Sequence, residues 1–455
     1  MKTLFVLVFT LLSVISAAAQ DAAAPSATPL QRPRVVTAPT PTPVPRTPSA
    51  QPTVTPTPQT TPTPIIVGGV PPGYRTPTPT PQATPAAPRV SPTPVPYPSP
   101  SPTVYPSAAN LPKGLLTMAE FRTHLAEAKR FFQTRPVQTA LTENGGFLTT
   151  EIVTLAALDP KTKALHTISL PKTTFLSIGF DSYFTSSLGK LVRVRTLRAN
   201  GVNTAVTIYD NMGQPLVPLV VQYPIERGGR FAEMAYYTSA HPALLSPEIT
   251  RAGQLYIRTV FEAGLKRLRE RGKYISPQVI AAAEDLALIE HVDHQRFLTE
   301  SRSALYDEIY TLFALNEGGT YRYAVSSAGA GGLVQMIPAT YRMVKSQHPT
   351  VPLTYDFVEG MRDHINAVQA MLLYMQDTWN DLSANDTIYQ AVQNGIATEA
   401  ELMAAGYNSN PARLPAYVRR GGANWRNLIP RETQMYLQIQ RSVQTTIQKL
   451  PPIKQ

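Results

Sequence analysis

Residues 21–112 hold 28 of the 45 prolines in this 455-residue chain, and no other feature limits its fold as strongly. Proline has no N–H to give and a fixed φ, so runs such as Thr-Pro-Thr-Pro at 40–43 and 76–79 can neither continue a helix nor join a sheet ladder. The segment is expected to be a disordered, partly polyproline II tether over 20–112, reaching on the order of 200 Å or more when extended. A spacer through a cell envelope and a merely tolerated arm are both compatible with it, and so is a partner that binds proline-rich sequence. A packed core has to come from residues 113–455.

Residues 1–19 read as an export signal. Lys2 is followed by the apolar run TLFVLVFTLLSVI at 3–15 and by the small residues Ala17-Ala18-Ala19. The run is shorter than the roughly 20 residues of a membrane span. The sequence has no cysteine, which excludes disulfides, thiol catalysis and lipid attachment through Cys. Periplasm or cell envelope is the expected location, and the protein is not expected to be a lipoprotein. A net charge of +11 suits an anionic surface. Export and the lack of a basic stripe with interleaved aromatics argue against nucleic acid as a partner.

Beyond the tether the pattern is α+β. Leu116, Met118, Phe121, Leu125, Ala128, Phe131 and Phe132 recur at helical spacing, predicting a helix over 113–135. Six stretches rich in β-branched and apolar residues follow: 149–156, 165–170, 173–179, 190–198, 205–210 and 216–223. Turn signals such as Asp159-Pro160, Ala199-Asn200-Gly201 and Asp210-Asn211-Met212-Gly213 separate them. They predict a small sandwich or barrel within a β-rich domain at 113–250. No catalytic constellation stands out in it. A docking module for envelope proteins and a structural shoulder both remain open. Residues 251–455 form the last region, and its first part, to about 297, reads as helical. One helix is predicted over 255–271, and another from Ser276-Pro277, with Ser as cap, to about Phe297.

In this last part Glu317 closes the apolar run Ile309–Leu315, and a glycine-rich turn from Ser326 leads into Gly332-Leu333-Val334-Gln335-Met336. An acid between an apolar helix end and a tight turn can act as a proton donor if burial raises its pKa towards about 6–7. Taken alone, Glu317 reads first as a capping or solvated helix end, and only the other motifs raise the catalytic reading above it. Glu290, His291, Asp293 and His294 spell EHVDH, read here as a solvated helix face. Two histidines one turn apart could seat a metal. No third ligand is identifiable, so neither a metal nor another cofactor is expected.

Residues Glu317, Ala324, Ser326, Gly329, Ala330, Gly332, Leu333, Gln335 and Pro338-Ala339-Thr340 resemble the catalytic motif of the soluble lytic transglycosylases, lysozyme-like enzymes that cleave peptidoglycan. Gly406-Tyr407-Asn408-Ser409-Asn410-Pro411 is similar to that family's Tyr-Asn motif. Pro430, Glu432, Thr433 and Tyr436 match its closing motif. The order and spacing agree over roughly 295–450. Gly318 and Tyr321 depart from the pattern, and Asn410 replaces its glycine. The resemblance implies a mostly α-helical lysozyme-like catalytic domain acting on peptidoglycan glycan strands. In it Glu317 would be acid and then base, forming a 1,6-anhydro product without water. Gln335, Tyr407, Asn408, Ser326, Gly332 and Met336 would hold substrate, with Tyr407 and Asn408 over the acid. Glu432 and Tyr436 would brace the cleft. A hydrolase of the same bond and a non-catalytic wall-binding protein are the alternatives.

Overall fold

A computed structural model describes residues 115–453, apart from 135–139, 142–146, 149–150, 228–229 and 327. The expected export signal, the tether and the start of the 113–135 helix at 113–114 lie outside the described residues. The described part is mixed, with a nearly closed antiparallel sheet followed by helices. No helix among the described residues is long and apolar enough to cross a membrane.

The chain enters through helix α1 (Met118–Thr134) and the two-residue strands β1 (Ala140–Leu141) and β2 (Phe147–Leu148). The main sheet uses β3 (Ile152–Leu158), β4 (Leu165–Pro171), β5 (Asp181–Thr185), β6 (Leu191–Arg198), β7 (Ala205–Asp210), β8 (Pro215–Arg227) and β9 (Arg230–Tyr237). The strand order is β4-β3-β8-β7-β6-β5, with β9 added to β8. At 13 residues β8 is long enough to pair β7 at its start and β9 beyond Val221, so one strand serves two neighbours on one side. The sheet curls until its outer strands meet: Ser187 N–H donates to Thr167 O at 2.9 Å, and His166 Nδ1 lies 3.1 Å from Ser186 Oγ. Alternation places Val153, Leu155, Ile168, Val192, Val194 and Ile208 inside. The opposite face of β3 and β8 packs on Phe121, Leu125 and Phe132 of α1.

The stretch 173–179, expected as a strand, is instead a helical turn, α2 (Lys172–Phe175), and a bend. Its β-branched threonines are outweighed by Phe175, which is fully buried under the sheet and whose carbonyl accepts from Thr196 Oγ1 at 3.1 Å. Strands β5 and β9 were not expected. β5 is an edge with alternating half-exposed residues, and β9 carries Arg230, Glu233 and Met234 among its aromatics, so neither reads as a buried strand.

The helices are α3 (Pro247–Arg269), α4 (Pro277–Ile289), α5 (His294–Thr299), α6 (Arg302–Asn316), α7 (Pro338–Gln347), α8 (Phe357–Arg362), α9 (His364–Ser383), α10 (Asp386–Gln393), α11 (Glu399–Asn408), α12 (Leu414–Gly421) and α13 (Arg431–Thr446). The helix expected from 277 to about 297 stops at Ile289, and EHVDH occupies the break before α5 rather than a helix face. Asp293 caps α5 by accepting from Arg296 N–H at 2.8 Å. Ser276 precedes α4 but its side chain makes no cap bond.

Sheet and helices belong to one compact unit. Helix α6 joins them. Its Leu312 enters the core inside the sheet, while Ala314 and Leu315 enter the core under α1. α3 crosses α6 so closely at Gly253 that a Cβ there would stand 1.8 Å from Tyr310 O. Arg198 of β6 pairs with Glu308 of α6, which also binds Arg296 at 2.7 Å.

Candidate active site

Between the sheet and the helices lies a cleft of about 890 Å³. One wall is the sheet's, made of Asn200–Asn203, Tyr223–Arg227 and Tyr237. The other is the helices', made of Glu290–Asp293, Tyr321–Ser326, Gln335, Val358 and Arg362.

Glu290 reaches this cleft from the end of α4. That helix is apolar on nearly every side, with Val279, Ile280, Ala282, Ala283 and Leu286 to Ile289 all buried, so its last turn carries the carboxyl out of water. Tyr436 of α13 donates its hydroxyl to Glu290 Oε1 at 2.6 Å. Burial pushes the Glu290 carboxyl up to about 8. The Tyr436 hydrogen bond acts against that shift, and the nearby charge of Glu432 adds to it. The group therefore holds its proton to higher pH than an ordinary carboxyl does. Tyr407 and Tyr436 are held far above the usual phenol range, first by burial and then by Glu290, so both remain donors.

The turn expected to face the acid does face the cleft. Ser326 accepts from Gly329 N–H at its carbonyl and from Ala330 N–H at its hydroxyl, at 2.9 and 3.0 Å. Gly332 sits at φ +65°, where a Cβ would come within 2.4 Å of Met361 O, so only glycine fits. Gln335 also has a positive φ, 46°, and its amide N–H donates back to Gly332 O at 2.8 Å, while the residue lines the cleft. Two side chains staple this loop. His291 Nε2–H donates to Leu333 O at 2.8 Å, and the Tyr407 hydroxyl donates to Val334 O at 2.6 Å. Burial lowers the His291 pKa to about 3, against the pull of its Leu333 bond, so the ring stays neutral. It stacks on Tyr321 with ring centroids 3.3 Å apart and planes 4° apart. Its Nε2 is thus committed to the loop, and among the described residues no three His, Asp or Glu side chains group to hold a metal ion.

The expected acid lies elsewhere. Glu317 follows α6 with φ +43° and its side chain is 58 % exposed, with Arg122 of α1 at 3.8 Å. It does not line the cleft. The preceding residue explains this. Buried Asn316 donates to Thr238 O at 2.7 Å and accepts from Thr238 N–H at 2.9 Å, anchoring the end of α6 to the chain after β9. Glu317 then turns outwards past α1.

Among the other expected residues, Gln335 and Ser326 line the cleft. Tyr407, Tyr436 and Glu432 gather about Glu290, not about Glu317. Tyr407 does not bond a carboxyl, because its hydroxyl is spent on Val334. Asn408 accepts from Thr433 Oγ1 at 2.8 Å, tying α11 to α13. Gly332 and Met336 are buried beneath the loop and shape it without lining the cleft. In the sequence Glu290 reads as part of a polar helix face. The signal that could have found it is the apolar run 279–289 immediately before it, the same kind of run that drew attention to Glu317.

No protein-family model, curated protein or solved structure matches this chain.

Proposed function

We propose that this protein is an exported peptidoglycan lytic transglycosylase whose acid and base is Glu290. The observation that carries the reading is the Glu290 carboxyl, half-buried at the end of α4, lining the same cleft as Gln335 and bonded to Tyr436. Motif residues that lie far apart in the chain converge on it.

In the first step Glu290 gives its proton to the oxygen linking the two amino sugars, and the C1–O bond breaks. The carboxylate left behind faces the oxocarbenium-like carbon. In the second step it takes the proton of the sugar's own C6 hydroxyl while that oxygen bonds C1. The proton given is the proton recovered, no water is consumed, and the product ends in a 1,6-anhydro ring. The Tyr436 hydrogen bond stabilises the carboxylate between the two steps. The Gln335 amide and the loop it closes suit hydroxyl and acetamido groups.

Ordinary glycosidases set a second carboxylate across the cleft. The two other acidic residues lining this one are committed. Glu226 is bound to Lys172 at 2.9 Å, and Asp293 caps α5. That favours the one-acid lyase over hydrolysis. Mass spectrometry of products from purified murein tests it. Anhydro-ended muropeptides are expected. Reducing ends would replace the lyase by a hydrolase, and no release would overturn the enzymatic reading.

A further inference from the structure

The sheet forms a whole wall of the cleft, and none of the catalytic motifs accounts for it. At that wall's rim Glu233 of β9 is met by three guanidinium groups. Arg362, at the end of α8, contacts it directly. Arg227 of β8 and Arg322 of the turn stand at 3.6 and 3.9 Å. Arg362 also bonds Glu359 at 2.9 Å. All three arginines line the cleft.

Three positive charges thus meet two carboxylates. Arg227 and Arg322 are too far from Glu233 for a good hydrogen bond. Arg362 is only 9 % exposed, and its Nε–H is buried without a partner. Guanidinium forks left with spare donors at a cleft rim are suited to carboxylates. We infer that Arg227, Arg322 and Arg362 receive carboxylates of the peptides carried by the glycan strand, so that the sheet selects peptide-bearing strands. This rests on the reading of the cleft as a peptidoglycan site. The sugar backbone offers only hydroxyls and acetamides there. Carboxylates come either from the peptide or, once the peptide is removed, from the lactyl group of the muramyl sugar.

The test is binding of the full chain with Glu290→Gln, which stops turnover, to two insoluble substrates. One is intact sacculi. The other is sacculi stripped of peptide by an amidase. The protein is expected to bind intact sacculi more tightly. Adding Arg227→Gln and Arg322→Gln is expected to weaken that binding by about tenfold, with little change on stripped strands. Arg227→Gln alone, at a position 54 % exposed, guards against loss of folding and is expected to give part of the effect. A loss confined to stripped strands would mean that the lactyl carboxylate is bound, an equal loss on both would mean that the arginines hold the sugar backbone, and no loss on either would remove the arginines from recognition. Each of these results overturns the inference. Product release by the unmodified chain is scored separately, so failure of the catalytic reading is seen apart from failure of this one.

Discussion

Two glutamates end two apolar helices in this molecule, Glu290 after α4 and Glu317 after α6. Locally they are alike. Each follows a run of buried residues, and each precedes a break in the chain. They differ in what the rest of the fold lays over them. α13 covers Glu290 with Tyr436, a residue 146 positions away, and α11 places Tyr407 beside it. Beside Glu317 stand Arg122 of α1, at 3.8 Å, and Tyr256 of α3, and its side chain stays 58 % exposed. A helix end delivers a carboxyl, but distant elements decide whether it is desolvated and so whether it holds a proton at neutral pH.

The sharpest way to break this contrast is to neutralise each acid in turn. Glu290→Gln keeps shape and accepts the same Tyr436 hydrogen bond, yet it cannot give and retake a proton. Turnover of murein is expected to fall by about 10²–10⁴-fold or more, while Glu317→Gln keeps the wild-type rate. The reverse result in a murein-clearing assay would restore Glu317 as the acid.

Stability against pH tests the Glu290 site next. The folded pKa of Glu290, about 8, lies above the ordinary 4.5. Its contribution is therefore fully present below about pH 4.5 and is lost as pH rises through 8. At alkaline pH the buried charge costs on the order of 3–5 kcal/mol. Glu290→Gln should therefore raise the melting temperature relative to wild type at pH 8–9 and change it little at pH 4. Equal melting at both pH values would mean that Glu290 is solvated. Catalysis by the protonated acid should fall off above about pH 8.

Removing one hydroxyl sharpens the comparison further. Tyr436→Phe deletes the bond that favours the Glu290 carboxylate, a bond to a charged group worth about 1.5–3 kcal/mol. The rate constant kcat is expected to drop about ten- to a hundredfold, and the alkaline limb of the pH profile to move upwards. A lower rate with an unmoved limb would make Tyr436 a packing residue only. The smallest effect belongs to Glu317→Ala, which removes a long, exposed ion pair. Its stability change should stay within about 0.5 kcal/mol by denaturant unfolding.

Much of the architecture was legible from local chemistry. Strands β3, β4, β6, β7 and β8 follow from β-branched alternation between turn residues, because a half-buried pleated surface selects those side chains. The glycine turn leading to Gln335 was legible because Gly332 has no room for a side chain. The segment 173–179, expected as a strand, is a helical turn and a bend because Phe175 has a core to fill. The helix expected to run on to Phe297 breaks at Glu290, and that break aims the carboxyl at the cleft.

By itself the sequence determined most of the strands and helices, where a tight glycine loop must form, and which amides, phenols and carboxyls are available to a site. Those depend on neighbours a few residues away. Only the tertiary structure decided which carboxyl is buried, that the sheet walls the cleft, and that three arginines from β8, the turn and α8 converge on Glu233. Desolvation and charge clustering are set by atoms that meet only on folding, and a chain read in order does not bring them together.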